Sequence, residues 1–447
     1  MSDELSYPTT TNDTLSEHID NLGISILNEW KEALLGELVD VVCGFAFKSE
    51  NFLDEQKLNS LPIIKIKNVA NGNVHLNGVQ YHLFDDRLSK FMVEKGDILI
   101  AMTGNHPQAL SQVVGVASKY NLLSYALINQ RVAKIISKSE IVLCKAYIYY
   151  FLKDLNTHLY LASQSKGSAN QANISKSDIE NIPILQPPSK EQKAIAAVLS
   201  SLDDKIDLLH RQNKTLEAMA ETLFRQWFIE EAKEDWEEMP LGDVALVQNG
   251  YAFSSKDYVA FEKDFLEVFK MGHIAPGGGL RFSPKTDFVL RIEKLNRWVL
   301  NKNDIVMAMT DMKDNMGILG HPAMIDSSNK YVLNQRVARI YIEKSSSLAS
   351  IYLLYLQLST DEAISLLQSK ANSGVQVNLS TDAIKSLPII VPPKDIQHKV
   401  TENIEPIFNK IECNRIQIQT LEKLRDNLLP KLMSGEVRVS YEQQDAA

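Results

Sequence analysis

The sequence is poor in cysteine and in long apolar runs, and it lacks the glycine and proline richness of low-complexity chains. Its 447 residues include only Cys43, Cys144 and Cys413, which excludes a disulfide framework or a CxxC zinc site and is typical of a reducing cytosol. No apolar run approaches the roughly 18 residues of a membrane span, and residues 1–25 are polar and acidic, unlike a signal peptide. We therefore expect a cytoplasmic globular protein of about two to four folding units, with no membrane association.

Known catalytic signatures are also missing from the sequence. It has no GxxxxGK[ST] phosphate-binding loop, no HExxH and no GxSxG, and its histidines lack the spacing of metal ligands. We therefore expect no catalytic residues, no metal site and no cofactor. The formal net charge of −9 argues mildly against nucleic-acid binding, but DNA responds to local charge, and partner subunits can supply positive charge.

The sequence repeats itself at an offset of 205 to 207 residues. Trp30, for example, recurs as Trp236. Other matches are Gly44-Phe45-Ala46-Phe47 with Gly250-Tyr251-Ala252-Phe253, Lys95-Gly96-Asp97-Ile98 with Lys302-Asn303-Asp304-Ile305, Asn129-Gln130-Arg131 with Asn334-Gln335-Arg336, and Ile182-Pro183-Ile184 with Leu387-Pro388-Ile389. Because the matches keep one order and nearly one offset, the chain is predicted to contain two copies of the same unit.

Each copy is predicted to be an α+β head followed by a long helix. Short apolar runs between Gly, Asn and Asp residues predict strands at 61–66, 98–100 and 131–136, and residues 146–161 are predicted to be helical. The predicted parts are a polar tail (1–25), the first head (26–186), the central helix (187–229), an acidic linker with the second head (230–391), the C-terminal helix (392–436) and a polar tail (437–447). The acidic run at 230–238 is predicted to be a solvated linker.

Both long helices are predicted to start after a Pro-Pro pair, at 187–188 and 392–393, and Ser189 and Gln192 have the spacing of a capping box. Apolar residues then recur in steps of three and four, which predicts a narrow seam between two helices. The predicted seam residues are Leu202, Ile206, Leu209, Asn213, Leu216, Leu223, Ile407, Ile411, Asn414, Ile418, Leu421 and Leu428. A helix of about 40 residues extends roughly 60 Å, longer than a small domain is wide. We therefore expect the helices to pack on each other rather than each on its own head.

One asparagine interrupts each apolar seam, Asn213 in the central helix and Asn414 in the C-terminal helix. If the helices run antiparallel about a pseudo-twofold axis near residue 211, Leu209 faces Ile418 and Asn213 faces Asn414. Two arrangements remain open. The asparagines either form a buried pair that fixes the register at some cost in stability, or they lie in water at the edge of the seam.

With these features the chain resembles the specificity subunits of Type I restriction-modification enzymes. The resemblance extends over about residues 30–439 and rests on two similar domains, each followed by a long helix, and on Pro-Pro-x-x-x-Gln at both helix starts. The ending Leu428-Leu429-Pro430-Lys431-Leu432-Met433-Ser434-Gly435-Glu436-Val437 is also close to that family's usual ending.

The resemblance implies a fold and a set of partners. Each head would be a target recognition domain that reads one half of a bipartite, non-palindromic site in double-stranded DNA. The helices would form an antiparallel coiled coil that sets the spacer and docks two DNA methyltransferase subunits, with restriction subunits joining through the complex. Two other interpretations remain open: a duplicated scaffold that binds protein, and a detached recognition part of a fused restriction-methylation enzyme.

Residues that read DNA sequence should lie where the two copies differ, because two different half-sites need different contacts. The candidates in these divergent loops are Lys67, Asn68, Asn105, His106, Gln108, Lys270, His273, Arg281, Lys285, Lys313 and Asn315. By the same reasoning we expect the identical Asn129-Gln130-Arg131 and Asn334-Gln335-Arg336 triplets to hold the domain together rather than read bases.

The small polar loops 167–173 and 372–378 are candidates for contacts to DNA phosphate, although they could equally be solvated loops. Phosphate contacts position a protein on DNA without reading sequence. The candidates in and beside these loops are Lys166, Asn170, Gln171, Lys370, Asn372 and Gln376.

The repeat predicts that the two heads are independent reading units. Replacing residues 241–386 with the corresponding region of a relative should change one half of the recognised site and leave the other half intact. Mapping the methylated bases made by the assembled complex measures this. A change in both halves would contradict the modular organisation.

Overall fold

The computed structural model describes residues 30–70, 72–105, 114–167, 172–230, 236–260, 264–281, 284–312, 316–343, 346–372 and 376–439. The chain packs as two units. The first unit contains the chain as far as Ile206 together with the segment from Thr420 onward, and the second unit is Asp207–Gln419. Each unit therefore combines one head with a part of each long helix.

Two sheets form the head of the first unit. The strands of the larger sheet, in order across it, are Val39–Cys43, Val132–Ser137, Ile98–Ala101, Ala117–Lys119, Asn73–Val74 and Val69–Ala70; those of the smaller sheet are Gln80–Leu83, Ser60–Ile64, Ala126–Ile128 and Met92–Val93. All four residues of Ile98–Ala101 are buried, as expected for a continuous apolar run in the middle of a sheet. The strands predicted near 61–66, 98–100 and 131–136 are confirmed.

Helices cover parts of this head. The α-helices are Leu35–Leu38, Lys145–Lys153, Leu155–Ser163 and Lys176–Glu180, and the 3-10 helices are Ser49–Asn51, Ile66–Asn68 and Asp86–Phe91. The stretch predicted to be helical, 146–161, is helical on both sides of one break. The break is at Asp154, where the backbone is extended and the carboxylate accepts a hydrogen bond from the Asn156 amide, so that it caps the second helix.

The head of the second unit has the same plan. Its two main sheets have the strand orders Leu246–Asn249, Val337–Tyr341, Ile305–Ala308, Pro322–Met324 and Tyr258–Val259, Phe288–Leu290, Phe265–Phe269, Tyr331–Leu333. Its α-helices are Leu241–Val244, Ile351–Leu358, Asp361–Ser369 and Thr381–Lys385, and its 3-10 helices are Met271–His273 and Glu293–Trp298. The predicted fold class is thus confirmed: two tandem α+β heads, each followed by a long helix.

A short antiparallel strand pair closes each head at its base. Lys31–Leu34 pairs with Pro183–Gln186, and Glu237–Pro240 pairs with Pro388–Val391. The acidic run at 230–238 was predicted to be a solvated linker. Its last residues, Glu237 and Glu238, are exposed but belong to this second strand pair, and residues 231–235 lie outside the described residues. Each head therefore ends beside its own beginning, immediately before its long helix.

The central helix is Ser189–Arg225, followed by a wider π-helical turn at Gln226–Glu230, and the C-terminal helix is Lys394–Ser434. Both begin directly after a Pro-Pro pair, as predicted. The predicted capping box is wrong, since the helix starts at Ser189 and Gln192 has other hydrogen-bond partners. Its amide nitrogen donates to the carbonyls of Pro187 and Val142, and its oxygen accepts from the Cys144 amide at 2.8 Å.

Gln397 makes the equivalent contacts in the second unit. Its amide nitrogen donates to the carbonyls of Pro392 and Ser347, and its oxygen accepts from the Ala349 amide at 2.9 Å. Gln192 and Gln397 are 0% and 3% exposed. One buried glutamine in the first turn of each helix thus ties that helix to a loop of its own head.

In the first unit the two helix segments run antiparallel and meet in a cluster of ions. Asp203 of the central helix accepts from Arg425 of the C-terminal helix at 2.8 Å and from the hydroxyl of Tyr150 at 3.0 Å, and Lys153 lies 3.2 Å away. Burial alone would raise the pKa of the Asp203 carboxyl, but Lys153 and Arg425 outweigh it and hold the pKa below its ordinary value. The cluster therefore stabilises the fold above the ordinary pKa of aspartate and loses this effect as the pH falls through the lowered one.

A second ionic contact fastens the end of the chain to the same unit. Arg438, which follows the C-terminal helix, donates to Glu191 at 2.8 Å, and the side chain of Glu191 is 1% exposed. The indole nitrogen of Trp30 donates to the same carboxylate at 3.1 Å, and the Arg438 guanidinium lies over the Trp30 ring. The start of the head, the start of the central helix and the end of the described chain therefore meet at one carboxylate.

The equivalent positions in the second unit are apolar. Phe408 and Ala220 correspond to Asp203 and Arg425, and Leu358 corresponds to Lys153. Phe408 stacks on Tyr352 with ring centroids 4.9 Å apart and meets the edge of Tyr355. The contact that ions make at this place in the first unit is therefore made by aromatic and apolar side chains in the second.

The predicted seam residues are mostly buried near the middle of each helix, and the buried face shifts towards the C-terminal ends. The predicted seam residues that are buried are Ile206, Leu209, Asn213, Ile411, Asn414 and Ile418; those that are half-buried are Leu202, Leu216, Leu223, Ile407, Leu421 and Leu428. Buried instead near the ends are Phe224 and Phe228 in one helix and Leu429 and Leu432 in the other. These residues pack on the heads, which requires a different helix face from the narrow seam.

The two asparagines of the seam form a buried hydrogen-bonded pair. Asn414 Nδ2 donates to Asn213 Oδ1 at 2.8 Å, and Asn414 and Asn213 are 0% and 8% exposed. Of the two arrangements left open by the sequence, the structure has the buried one. The Oδ1 atom of Asn414 has no hydrogen-bond partner among the described residues, so the pair is incompletely satisfied.

We expect the double substitution Asn213→Leu with Asn414→Leu to stabilise the protein, because it removes a buried polar atom without a partner. The gain should be about 1–3 kcal/mol, seen as a rise of a few degrees in the midpoint of thermal unfolding. Asn414→Leu alone should be worse than the double variant, since it leaves Asn213 buried and unpaired. A double variant that unfolds below the wild type would contradict this account.

Candidate nucleic-acid interface

A two-stranded antiparallel ribbon begins just after strand Ile98–Ala101 of the larger sheet in the first head. Thr103–Gly104 pairs with Ala172–Asn173, and Asn173 also exchanges two backbone hydrogen bonds with Lys166. The Thr103 hydroxyl donates to Asn173 Oδ1 at 2.7 Å, and Arg131 Nη1 donates to the same oxygen at 3.3 Å. The ribbon therefore gathers an arginine, a lysine and a buried hydroxyl around one asparagine.

The second head has the same ribbon in longer form. Thr310–Met312 pairs with Gln376–Asn378, and the Thr310 hydroxyl donates to Asn378 Oδ1 at 3.0 Å. The Asn372 amide donates to the Asn378 carbonyl, closing the strand ends. The loops that were predicted to contact phosphate thus start and end on this ribbon in both heads.

The backbone of the Asn-Gln-Arg triplet does hold each head together, whereas two of its side chains face solvent. A β-carbon at Gly44 would overlap the carbonyl oxygen of Asn129, and one at Gly250 would overlap that of Asn334. Only glycine allows this approach, which explains why the triplet and the Gly-aromatic-Ala-Phe motif recur together. The Gln and Arg side chains of both triplets are exposed, a feature that sequence reasoning missed.

The structure places eight of the candidate residues on the surface. They are Lys67, Asn105, Lys166, Arg281, Lys285, Lys370, Asn372 and Gln376. Asn105, Lys166, Asn372 and Gln376 lie on or directly beside the ribbons. Lys67 and Lys370 are held by local contacts, to the Gly78 carbonyl and the Ser386 hydroxyl, both at 2.7 Å. Arg281 and Lys285 lie on the segment between Met271–His273 and Phe288–Leu290.

Two candidates are buried and cannot reach a DNA base in this conformation. Asn68 is 0% and His273 is 2% exposed. They occupy equivalent positions, where each side chain accepts a hydrogen bond from the backbone amide of the lysine three residues earlier. His273 also hydrogen-bonds Glu267 at 3.0 Å, and Lys270 is paired with Asp287 at 2.7 Å. These polar side chains diverge between the heads because each satisfies its own local turn.

Six further candidates lie outside the described residues: His106, Gln108, Asn170, Gln171, Lys313 and Asn315. In the part of the chain that is described, no group of three or more His, Cys, Asp or Glu side chains is placed to hold a metal ion. None of the described helices combines the length and the apolar character of a membrane span.

Two heads with one framework, the same polar ribbon and different loops beside it make up a duplicated recognition module. A family model described as Type I restriction modification DNA specificity domain matches residues 28–218 and again residues 233–423. Because these matches cover well over half of the chain, the protein belongs to this family.

Known proteins resemble the chain over most of its length. It is 29% identical over 347 residues to the Type I restriction enzyme MjaIX specificity subunit of Methanocaldococcus jannaschii, covering 70% of this chain and 73% of that protein. It is 26% identical over 438 residues to the MjaVIII specificity subunit of the same organism, covering 93% and 95%. The crystal structure of the S subunit of a Type I restriction-modification system from M. genitalium has the same fold, with a TM-score of 0.52 and 17% identity over 92% of this chain and 98% of that one.

The ribbon geometry predicts that Asn173 is needed for stability. Asn173→Ala should leave the Thr103 hydroxyl, on a residue that is 2% exposed, without its acceptor, at a cost of about 1–3 kcal/mol. Thermal unfolding measures this loss. Asn173→Asp keeps an acceptor oxygen and serves as the control, and Asn378→Ala tests the same contact in the second head. Equal midpoints for Asn173→Ala and Asn173→Asp would contradict the assigned role.

Proposed function

We propose that this protein is the sequence-specific DNA-binding specificity subunit of a Type I restriction-modification complex. The observation that carries the proposal is the double match to a DNA specificity domain, on two heads whose frameworks agree and whose loops differ. The relatives over most of the chain are themselves specificity subunits, which supports the same role.

Each head would read one half of a bipartite, non-palindromic site. A loop that differs between the copies leaves each ribbon, after Gly104 in the first head and after Met312 in the second. Loops that differ in sequence but start from the same framework present different side chains at equivalent places. Two different half-sites on one duplex are the ligand that suits this arrangement.

The long helices would set the spacer between the half-sites and dock two DNA methyltransferase subunits. Helix segments run antiparallel within each unit, so each head has an equivalent junction with the start of one helix and the end of the other. Two equivalent junctions suit two copies of one partner. Restriction subunits would then join through that complex, and the protein would work in the cytoplasm, where DNA and these partners meet.

The protein would itself be non-catalytic and would direct its partners' chemistry. Its net charge of −9 would then weaken DNA binding by the chain alone, because binding to DNA depends largely on neutralising phosphates. Local cations at the ribbons would hold the DNA in place, and the methyltransferase subunits would supply most of the remaining attraction.

We expect the purified chain alone to bind duplex DNA weakly and to methylate nothing. Adding methyltransferase subunits should give a complex with two of them per chain and tight, sequence-specific binding. Native mass spectrometry measures the stoichiometry, and selection from a random pool of duplexes identifies the retained sequence. A complex saturated at one methyltransferase subunit would overturn the stoichiometry, and a pool without any enriched sequence would overturn the function.

A further inference from the structure

An exposed Gln-Arg pair occupies the same place in both heads. Gln130 and Arg131 in the first head, and Gln335 and Arg336 in the second, are identical in sequence and exposed to solvent. Other exposed positions on the two heads differ, for example Asn105 next to the first ribbon and Met312 on the second. Identity at an exposed position needs a reason other than packing.

Hydrogen bonds hold the backbone that carries these side chains in the same way in both heads. The Asn129 and Gln130 amides donate to the carbonyls of Ile64 and Phe45 at 3.0 and 2.9 Å. The Asn334 and Gln335 amides donate equivalently, to Phe269 and Tyr251, at 3.1 and 3.0 Å. The following arginine therefore leaves a hydrogen-bonded backbone, so that only its side chain has to be ordered when it binds a partner.

The guanidinium groups have unused hydrogen-bonding capacity. An arginine carries five N–H donors. Arg131 has one hydrogen bond, to Asn173 at 3.3 Å, and the Arg336 guanidinium has none among the described residues. Neither arginine forms an ion pair with a carboxylate within the described part of the chain. Both guanidinium groups can therefore donate further hydrogen bonds to a bound anion.

The ligand should be the same for both heads, although the heads read different sequences. In DNA the feature that does not vary with sequence is the phosphate backbone. The carbonyls of Arg131 and Arg336 accept hydrogen bonds from the Met102 and Met309 amides, one residue before the ribbon threonines. The divergent loops start within three residues after those threonines. A cation beside a reading loop would contact the phosphates flanking the bases that this loop reads.

On this basis, and resting on the function proposed above, we propose that Arg131 and Arg336 are equivalent anchors that each bind a backbone phosphate of double-stranded DNA without reading sequence. A shared protein partner fits less well. Hot spots of protein interfaces lie in well-packed, desolvated pockets, whereas the two ribbons differ in polarity, because Met312 on the second corresponds to Asn105 next to the first.

The test uses the full chain assembled with its methyltransferase subunits and a duplex that carries its methylation site. Arg131→Gln, Arg336→Gln and the double variant should fold normally, because both side chains are exposed. Plots of log affinity against log salt should become shallower by about one unit for each arginine removed. The methylated sequence should stay unchanged, and Arg131→Lys with Arg336→Lys should keep most of the salt dependence.

Lys31→Gln is the matched control, because Lys31 is an exposed cation on the basal strand pair rather than on a ribbon. Unchanged salt dependence in the Gln variants would overturn the proposal. A relaxed methylation motif would overturn it in favour of base reading, and loss of methyltransferase binding would overturn it in favour of a protein contact. If the wild-type complex itself showed no sequence preference, the proposed function would fail instead, so the two failures can be told apart.

Discussion

The orientation of each head depends on one buried glutamine, Gln192 or Gln397. The first turn of a helix and the loop beside it contain backbone groups that need hydrogen-bond partners. A glutamine amide supplies both donors and an acceptor, and here each one satisfies three backbone groups in the helix start and in a loop of the head. No apolar residue or carboxylate of this size offers both, which explains why glutamine stands at the same place in both copies.

The two units use different side chains at equivalent positions where a helix segment packs on a head. The ionic cluster of Asp203, Arg425 and Lys153 in the first unit is replaced by Phe408, Ala220 and Leu358 in the second. A buried ion pair adds little net stability over apolar residues of similar volume, but a single charge left without its partner costs several kcal/mol. Because Phe408 stands at the position of Asp203, the second unit has no carboxylate corresponding to the partner of Arg425.

The sequence was sufficient to predict the repeat, the fold class, the strands and the starts of both long helices, because these depend on local pattern and on matches within one chain. Other features depend on tertiary packing. The break at Asp154 and the shift from Leu223 to Phe224 follow from how helices lie on the heads. The burial of Asn68 and His273 was missed because the sequence does not distinguish a polar side chain that hydrogen-bonds the backbone of its own turn from one that is solvated.

Because the chain is duplicated, residues at equivalent positions of its two copies can be compared and interpreted once the burial of each residue is known. Identical residues whose backbone is packed in the interior, such as the asparagines against Gly44 and Gly250, belong to the framework. Exposed residues that differ, such as Asn105 and Met312, are candidates for what distinguishes the two heads. Under the proposed function, exposed residues that are identical, such as Arg131 and Arg336, would serve what the two half-sites have in common. From sequence alone, identical framework residues and identical exposed residues look the same. Side-chain exposure separates them, and exposure is known only from the folded structure.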